Sequence, residues 1–162
     1  MPELPEVETI RRDLARMLTG RVLRGMEIRD PSVLTGFLPS GRPRRSIDPE
    51  ICKTRVTGKQ ISNFERRGKY LVMEFSDLTA LVFHLRMTGQ ILVRRPLGSE
   101  RLRIDFDSGL PLCFSDRRRF GEVIFCEEWR RAPGIKDLGI EPLNGKLSGH
   151  TLMRLFLFIS VG

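Results

Sequence analysis

The chain has 162 residues, with 28 Lys and Arg against 20 Asp and Glu, a formal net charge of +8 and 40% hydrophobic residues. That is enough apolar material for one core, and aliphatic runs throughout argue against disorder for the bulk of the chain. No apolar run approaches the ~20 residues a membrane helix needs, and Glu3 and Glu6 stand where a signal peptide would be basic and then apolar, so no membrane partner is expected.

From Glu6 to Leu18 the apolar residues Val7, Ile10, Leu14, Met17 and Leu18 recur at helical spacing, with Pro5 acceptable in a first turn and Gly20 placed to end the helix. The period then shortens. Val22 to Ile28, Lys53 to Val56, Tyr70 to Phe75, Ala80 to Leu85, Gln90 to Val93, Leu102 to Phe106, Leu110 to Phe114 and Glu122 to Phe125 read as short strands bounded by turn residues. Leu102, Ile104 and Phe106 alternate with Arg103, Asp105 and Asp107, and Asp107, Ser108 and Gly109 supply a hairpin turn. Pro31 to Pro49, rich in Pro, Gly and Arg, reads as a long loop. The fold class expected is mainly β: an antiparallel β-sandwich with an N-terminal α-helix and a partial C-terminal helix. The expected division is a sandwich domain over 1–130, a linker over 131–150 marked by Pro133, Gly134, Pro142 and Gly145, and the start of a helical module over 151–162.

Cys52, Cys113 and Cys126 show no CxxC spacing, and two histidines are too few for an evident Cys/His cluster, so buried thiols in a reducing compartment and no metal site are expected. The excess positive charge is gathered in three places: Arg42, Arg44 and Arg45; Arg66, Arg67 and Lys69; and Arg117, Arg118 and Arg119. Basic clusters on loops and strand ends are what phosphate contacts need, although a basic chain can also simply be well solvated.

The opening Met1-Pro2-Glu3 carries a chemical signal. Initiator methionine is normally removed before proline, which leaves Pro2 with a free secondary amine. An α-amino group has a reference pKa of about 7.7 to 8.0 against about 10.4 for lysine, so a usable fraction is neutral and nucleophilic near pH 7. Such an amine attacking a sugar carbon forms an iminium, and Glu3 beside it can give or take a proton. The plainer alternative is that Pro2 and Glu3 merely begin a helix.

PELPEVETIRRDL over Pro2 to Leu14, RRGKYLVMEF over Arg66 to Phe75, HLRMTGQ over His84 to Gln90 and SDRRRFG over Ser115 to Gly121 resemble, in the same order, segments of the formamidopyrimidine-DNA glycosylase and endonuclease VIII family. LGIEPL, Leu138 to Leu143, resembles the linker after that family's catalytic domain. The resemblance implies that the Pro2 amine attacks C1′ of a damaged nucleotide, displaces the base and forms a Schiff base that β- and δ-elimination resolve. It implies that Glu3 assists sugar opening and proton transfer with Glu6 as a supporting carboxylate, and that Lys69 contacts DNA phosphate. Met87, Arg118 or Arg119, and Phe120 match the residues that fill the void left by the extruded base. Met87 and Phe120 read by type alone are core residues. His84 stands between a phosphate contact and a structural strand histidine.

PELPEVET resembles the purine-lesion branch, so 8-oxoguanine and formamidopyrimidines are the expected substrates. The implied partner is double-stranded DNA carrying oxidised bases or abasic sites, with no redox or nucleotide cofactor, in a monomeric, cytoplasmic and nucleoid-associated protein. Arg117 stands where the family often has proline. The family's helix, two-turn, helix module and its zinc finger do not lie within these 162 residues. Half a cleft positions a substrate poorly, so the chain by itself is expected to bind DNA weakly and salt-sensitively, with at most slow lyase activity on preformed abasic sites. A catalytically silent DNA-binding domain of the same fold is the alternative. An unrelated RNA-binding β-barrel would need neither Pro2 nor Glu3 and would want an exposed aromatic strip.

Overall fold

The computed structural model describes residues 2–37, 45–132 and 134–138. Helix α1 spans Leu4–Leu18, with Val7, Leu14 and Leu18 buried along one stripe. It ends as its composition requires: Gly20, at φ +87°, turns the chain and its N–H donates to the carbonyl of Ile61 at 2.8 Å. The strands that follow are β1 (Leu23–Ile28), β2 (Leu34–Phe37), β3 (Arg45–Ser46), β4 (Ile61–Arg67), β5 (Tyr70–Phe75), β6 (Ala80–His84), β7 (Gly89–Val93), β8 (Leu102–Phe106), β9 (Leu112–Asp116) and β10 (Glu122–Cys126). A second helix, α2, spans Pro49–Val56 between β3 and β4.

Two sheets face each other. One has the order β1-β8-β9-β7 and the other β3-β2-β10-β6-β5-β4. Their inner faces form the main core, in which Phe83 of β6 and Phe114 of β9 meet with ring centroids 6.2 Å apart. The outer face of the second sheet is covered too. Val72, Val82 and Ile124 pack there against Trp129, Ala132 and Ile135, and Trp129 donates its indole N–H to Glu74 at 2.6 Å. Cover on both sides explains why β6 is buried at every position and reads as a continuous apolar run.

Most of the elements legible in the sequence are present, with four corrections. Lys53–Val56 is not a strand but the second half of α2. Asp48 caps that helix by accepting from the Glu50 N–H at 2.8 Å, Pro49 begins it, and Cys52 and Val56 are buried four residues apart. A four-residue window cannot tell this period from a strand's. Strand β4 is missing from the sequence reading because Ser62, Asn63, Glu65 and Arg67 interrupt its apolar residues on an edge of the sheet. The segment read as one loop from Pro31 to Pro49 contains a short 3-10 turn at Pro31–Val33 and the strands β2 and β3. The sandwich is also not wholly antiparallel, because β2 runs parallel to β10. The partial C-terminal helix, most of the linker and the basic residues Arg42 and Arg44 lie outside the described residues.

Candidate active site and nucleic-acid interface

The N-terminus of α1 is held in place by its own first turn. Glu3 is the N-cap, and its backbone N–H donates to Glu6 Oε2 at 3.1 Å, so Glu6 secures the residue next to Pro2. One turn further on, Glu8 joins the helix to the sheet. Its carboxylate accepts from Arg11 at 2.8 Å, from Arg12 at 3.0 Å and from Arg66 of β4 at 3.0 Å. The bonds from Arg11 outweigh the cost of burial and, with those from Arg66 and Arg12, lower the Glu8 carboxyl to about 2. Arg66, whose side chain is 1% exposed, also donates to the carbonyl of Gly68 at 3.0 Å. The same guanidinium therefore grips the helix that begins near Pro2 and the turn that carries Lys69.

That turn is the two-residue connection Gly68-Lys69 between Arg67 and Tyr70, which pair across β4 and β5. It sends Lys69 back towards the helix, where Lys69 Nζ lies 3.3 Å from Glu3 Oε2. Pro2, Lys69, His84 and Arg86 line one narrow crevice with Val7 and Leu85. His84 is 9% exposed, accepts the Arg86 N–H on Nδ1 at 3.1 Å and meets the Tyr70 ring edge to face at 4.7 Å. It forms part of the crevice wall.

Beside the crevice, two loops project side chains. The first, between β6 and β7, is closed by the Gly89 N–H donating to the Leu85 carbonyl at 2.9 Å, and Arg86 adopts φ +53° within it. The second, between β9 and β10, carries Arg117 to Phe120, with Arg119 at φ +60°. Met87 is 48% and Phe120 56% exposed, and both line an open groove with Arg86 and Glu122. The residue types suggested core, but the structure presents both to solvent. Arg118 lies over the Phe120 ring at 5.1 Å. Arg119 is 3.9 Å from Asp30 and its side chain is 75% exposed.

The structure thus brings together the Pro2, Glu3 and Lys69 group and sets the Met87, Arg118 and Phe120 group on the adjoining rim, with Arg86 common to the crevice and the groove. Sequence reasoning missed the supports beneath: Glu8 with Arg66, and Thr88 with Asp116. Glu8 was detectable from its spacing to Arg11 and Arg12 on one helix face, whereas the other pairings join residues distant in the chain. The three cysteines are buried, and among the described residues no group of three or more His, Cys, Asp or Glu is arranged to hold a metal. Among those residues no helix is long and apolar enough to cross a membrane.

Residues 1–123 match the formamidopyrimidine-DNA glycosylase N-terminal domain family. The formamidopyrimidine-DNA glycosylase of Ectopseudomonas mendocina is 37% identical over 159 residues, covering 96% of this chain and 54% of that protein. That of Chloroflexus aurantiacus is 40% identical over 148 residues, covering 88% and 49% respectively. Among solved structures, Lactococcus lactis formamidopyrimidine-DNA glycosylase bound non-covalently to DNA containing an abasic site superposes with a TM-score of 0.65 at 32% identity, over 76% of this chain and 44% of that one. The same enzyme with DNA containing a formamidopyrimidine lesion gives a TM-score of 0.65 at 28% identity, over 96% and 48%. This chain spans about half the length of the curated relatives it matches. With the four ordered motifs folded around one crevice and rim, the chain belongs to the formamidopyrimidine-DNA glycosylase family and has the fold of its N-terminal domain.

Proposed function

We propose that this chain is the catalytic half of a base-excision repair DNA glycosylase with abasic-site lyase activity on oxidised purines, 8-oxoguanine and formamidopyrimidines among them. The observation that carries the reading is the convergence of Pro2, Glu3 and Lys69 at the mouth of one crevice beside an exposed apolar and cationic rim. Removal of Met1 frees the Pro2 amine. The amine's lone pair attacks C1′ of the extruded nucleotide, the C1′–N bond breaks, and the base departs, taking a proton from water. The Glu3 carboxylate takes the proton of the ammonium so formed and passes it to the sugar ring oxygen, the ring opens, and the nitrogen lone pair completes the iminium at C1′. Loss of a C2′ proton then expels the 3′ phosphate by β-elimination, and a second elimination expels the 5′ phosphate. Lys69 serves the backbone phosphate beside the lesion, and the Glu3 carboxylate 3.3 Å away holds its ammonium at the crevice mouth.

In this reading Met87, Arg118 and Phe120 occupy the gap left in the duplex, with Arg119 on the phosphate side and His84 holding the crevice wall. No redox or nucleotide cofactor enters the chemistry, the partner is double-stranded DNA, and the setting is a cytoplasmic, nucleoid-associated monomer. The test is borohydride trapping of the untagged chain on duplex DNA with one abasic site, read by intact mass. An adduct that a single residue placed before Pro2 abolishes supports the reading. No adduct from a folded chain lacking Met1 overturns turnover by this chain and leaves a DNA-binding half without chemistry of its own.

A further inference from the structure

Asp116 ends β9 opposite Gly89, the first residue of β7, and its side chain is fully buried between the two rim loops. One carboxylate oxygen, Oδ1, accepts from the Thr88 hydroxyl in the Met87 loop and from the Arg118 N–H at 3.1 Å in the other loop. The second, Oδ2, accepts from the Gly121 N–H, where that second loop ends. Thr88 closes the triangle, since its Oγ1 also accepts the Arg118 N–H, at 3.3 Å. Burial acts to raise the Asp116 carboxyl. The bonds from Thr88, Gly121 and Arg118, with the Arg101 guanidinium 3.7 Å away, prevail and hold it below its ordinary value, so it stays ionised at neutral pH.

The surroundings leave this arrangement little freedom. A Cβ on Gly89 would sit 2.4 Å from the Leu85 carbonyl oxygen, and one on Gly121 would sit 2.8 Å from Phe114 and 3.0 Å from Asp116. Both loops therefore close on positions with no room for a side chain. Arg101, itself 6% exposed at its side chain, donates to the Gly121 carbonyl at 3.1 Å and to Asp30 at 2.9 Å, which fixes the same corner from the other side. An exposed apolar side chain on an independent loop would fold back onto the surface. Here the hydroxyl of Thr88, next to Met87, and the backbone N–H of Arg118 share one buried anion.

We propose that Asp116, acting through Thr88, is a positioning residue that couples the two rim loops into a single wedge, so that Met87, Arg118 and Phe120 enter a duplex gap together. This rests on the reading above for what the wedge does, but not for the coupling itself. Asp116→Ala exposes Arg101 to the loss of a buried partner and can unfold the corner, so the decisive variant is Thr88→Val, which keeps the shape and removes the hydroxyl. Two measurements are made on the folded protein: amide hydrogen exchange at Arg118 without DNA, and the ratio of affinities for a duplex with one tetrahydrofuran abasic analogue over the same duplex intact. Thr88→Val is expected to speed exchange at Arg118 by about tenfold and to lower the ratio by a similar factor, while Thr88→Ser restores both. Unchanged exchange at Arg118 overturns the coupling. Faster exchange with the wild-type ratio retained overturns its role in void recognition. If exchange responds but the wild-type chain itself does not favour the abasic duplex, the coupling stands and the proposed function fails.

Discussion

The crevice mouth and the wedge rim lie side by side, yet they are built in opposite ways. At the mouth, polar groups stand at graded exposure: Lys69 is 27% exposed at its side chain, the Glu3 side chain it is held against is 67% exposed, and the elements that carry them are tied by the nearly dry guanidinium of Arg66. At the rim, apolar side chains are kept exposed, and the ionic group that fixes them, Asp116, is buried beneath. The contrast shows two uses of the sheet edge. In the proposed function a nucleophile and its proton carrier need a set separation, whereas a void-filling side chain must stay exposed until DNA arrives. In both places a buried ion pair spans segments distant in the chain and sets where the exposed groups stand.

The largest test of this contrast falls on the mouth. A residue retained before Pro2 converts the amine to an amide and should reduce the trapped adduct to the level of an unreacted control, with thermal stability unchanged. Glu3→Gln keeps the shape but removes the acid, and should slow adduct formation by about 10²-fold, read from single-turnover trapping. An adduct rate indifferent to Glu3 would remove it from the proton transfers.

Next in size is the support beneath the mouth. Glu8→Ala leaves the Arg66 guanidinium buried without its carboxylate, and should cost about 3 kcal/mol in urea unfolding. Because the Glu8 carboxyl is lowered from 4.5 to about 2, its contribution is fully present above pH 4.5 and is lost as pH falls towards 2. Glu8→Ala should therefore flatten the acid limb of stability against pH in that window. A wild-type slope there would show that Glu8 is not the group responsible.

The smallest effect on the fold is expected at the rim. Met87→Ala and Phe120→Ala remove exposed side chains and should leave stability within about 0.5 kcal/mol, while preference for an abasic over an intact duplex falls. A loss of stability of several kcal/mol from either would return that residue to the core and collapse the distinction between the two regions.

Helix α1 was legible because fifteen residues sample a 3.6-residue period several times over. The strands β5, β8 and β10 were legible because each is short, apolar or alternating and bounded by turns. Helix α2 was not, since only Cys52 and Val56 of its eight residues are buried. Edge strand β4 was hidden by its polar residues, although it carries Arg66 and leads to Lys69. The motifs pointed to Pro2, Glu3, Lys69, Met87, Arg118 and Phe120, because each stands in a short contiguous run that can be matched without knowledge of the fold.

By itself, then, the sequence determined the class of fold, the family and the side chains that stand at the site. The tertiary structure decided which of those side chains are exposed, that Met87 and Phe120 belong to the rim and not the core, and which ions hold them there. The reason is distance along the chain: Glu8 meets Arg66 across 58 residues and Thr88 meets Asp116 across 28. Local patterns carry no record of such pairings, and only the closing of the two sheets brings the partners together.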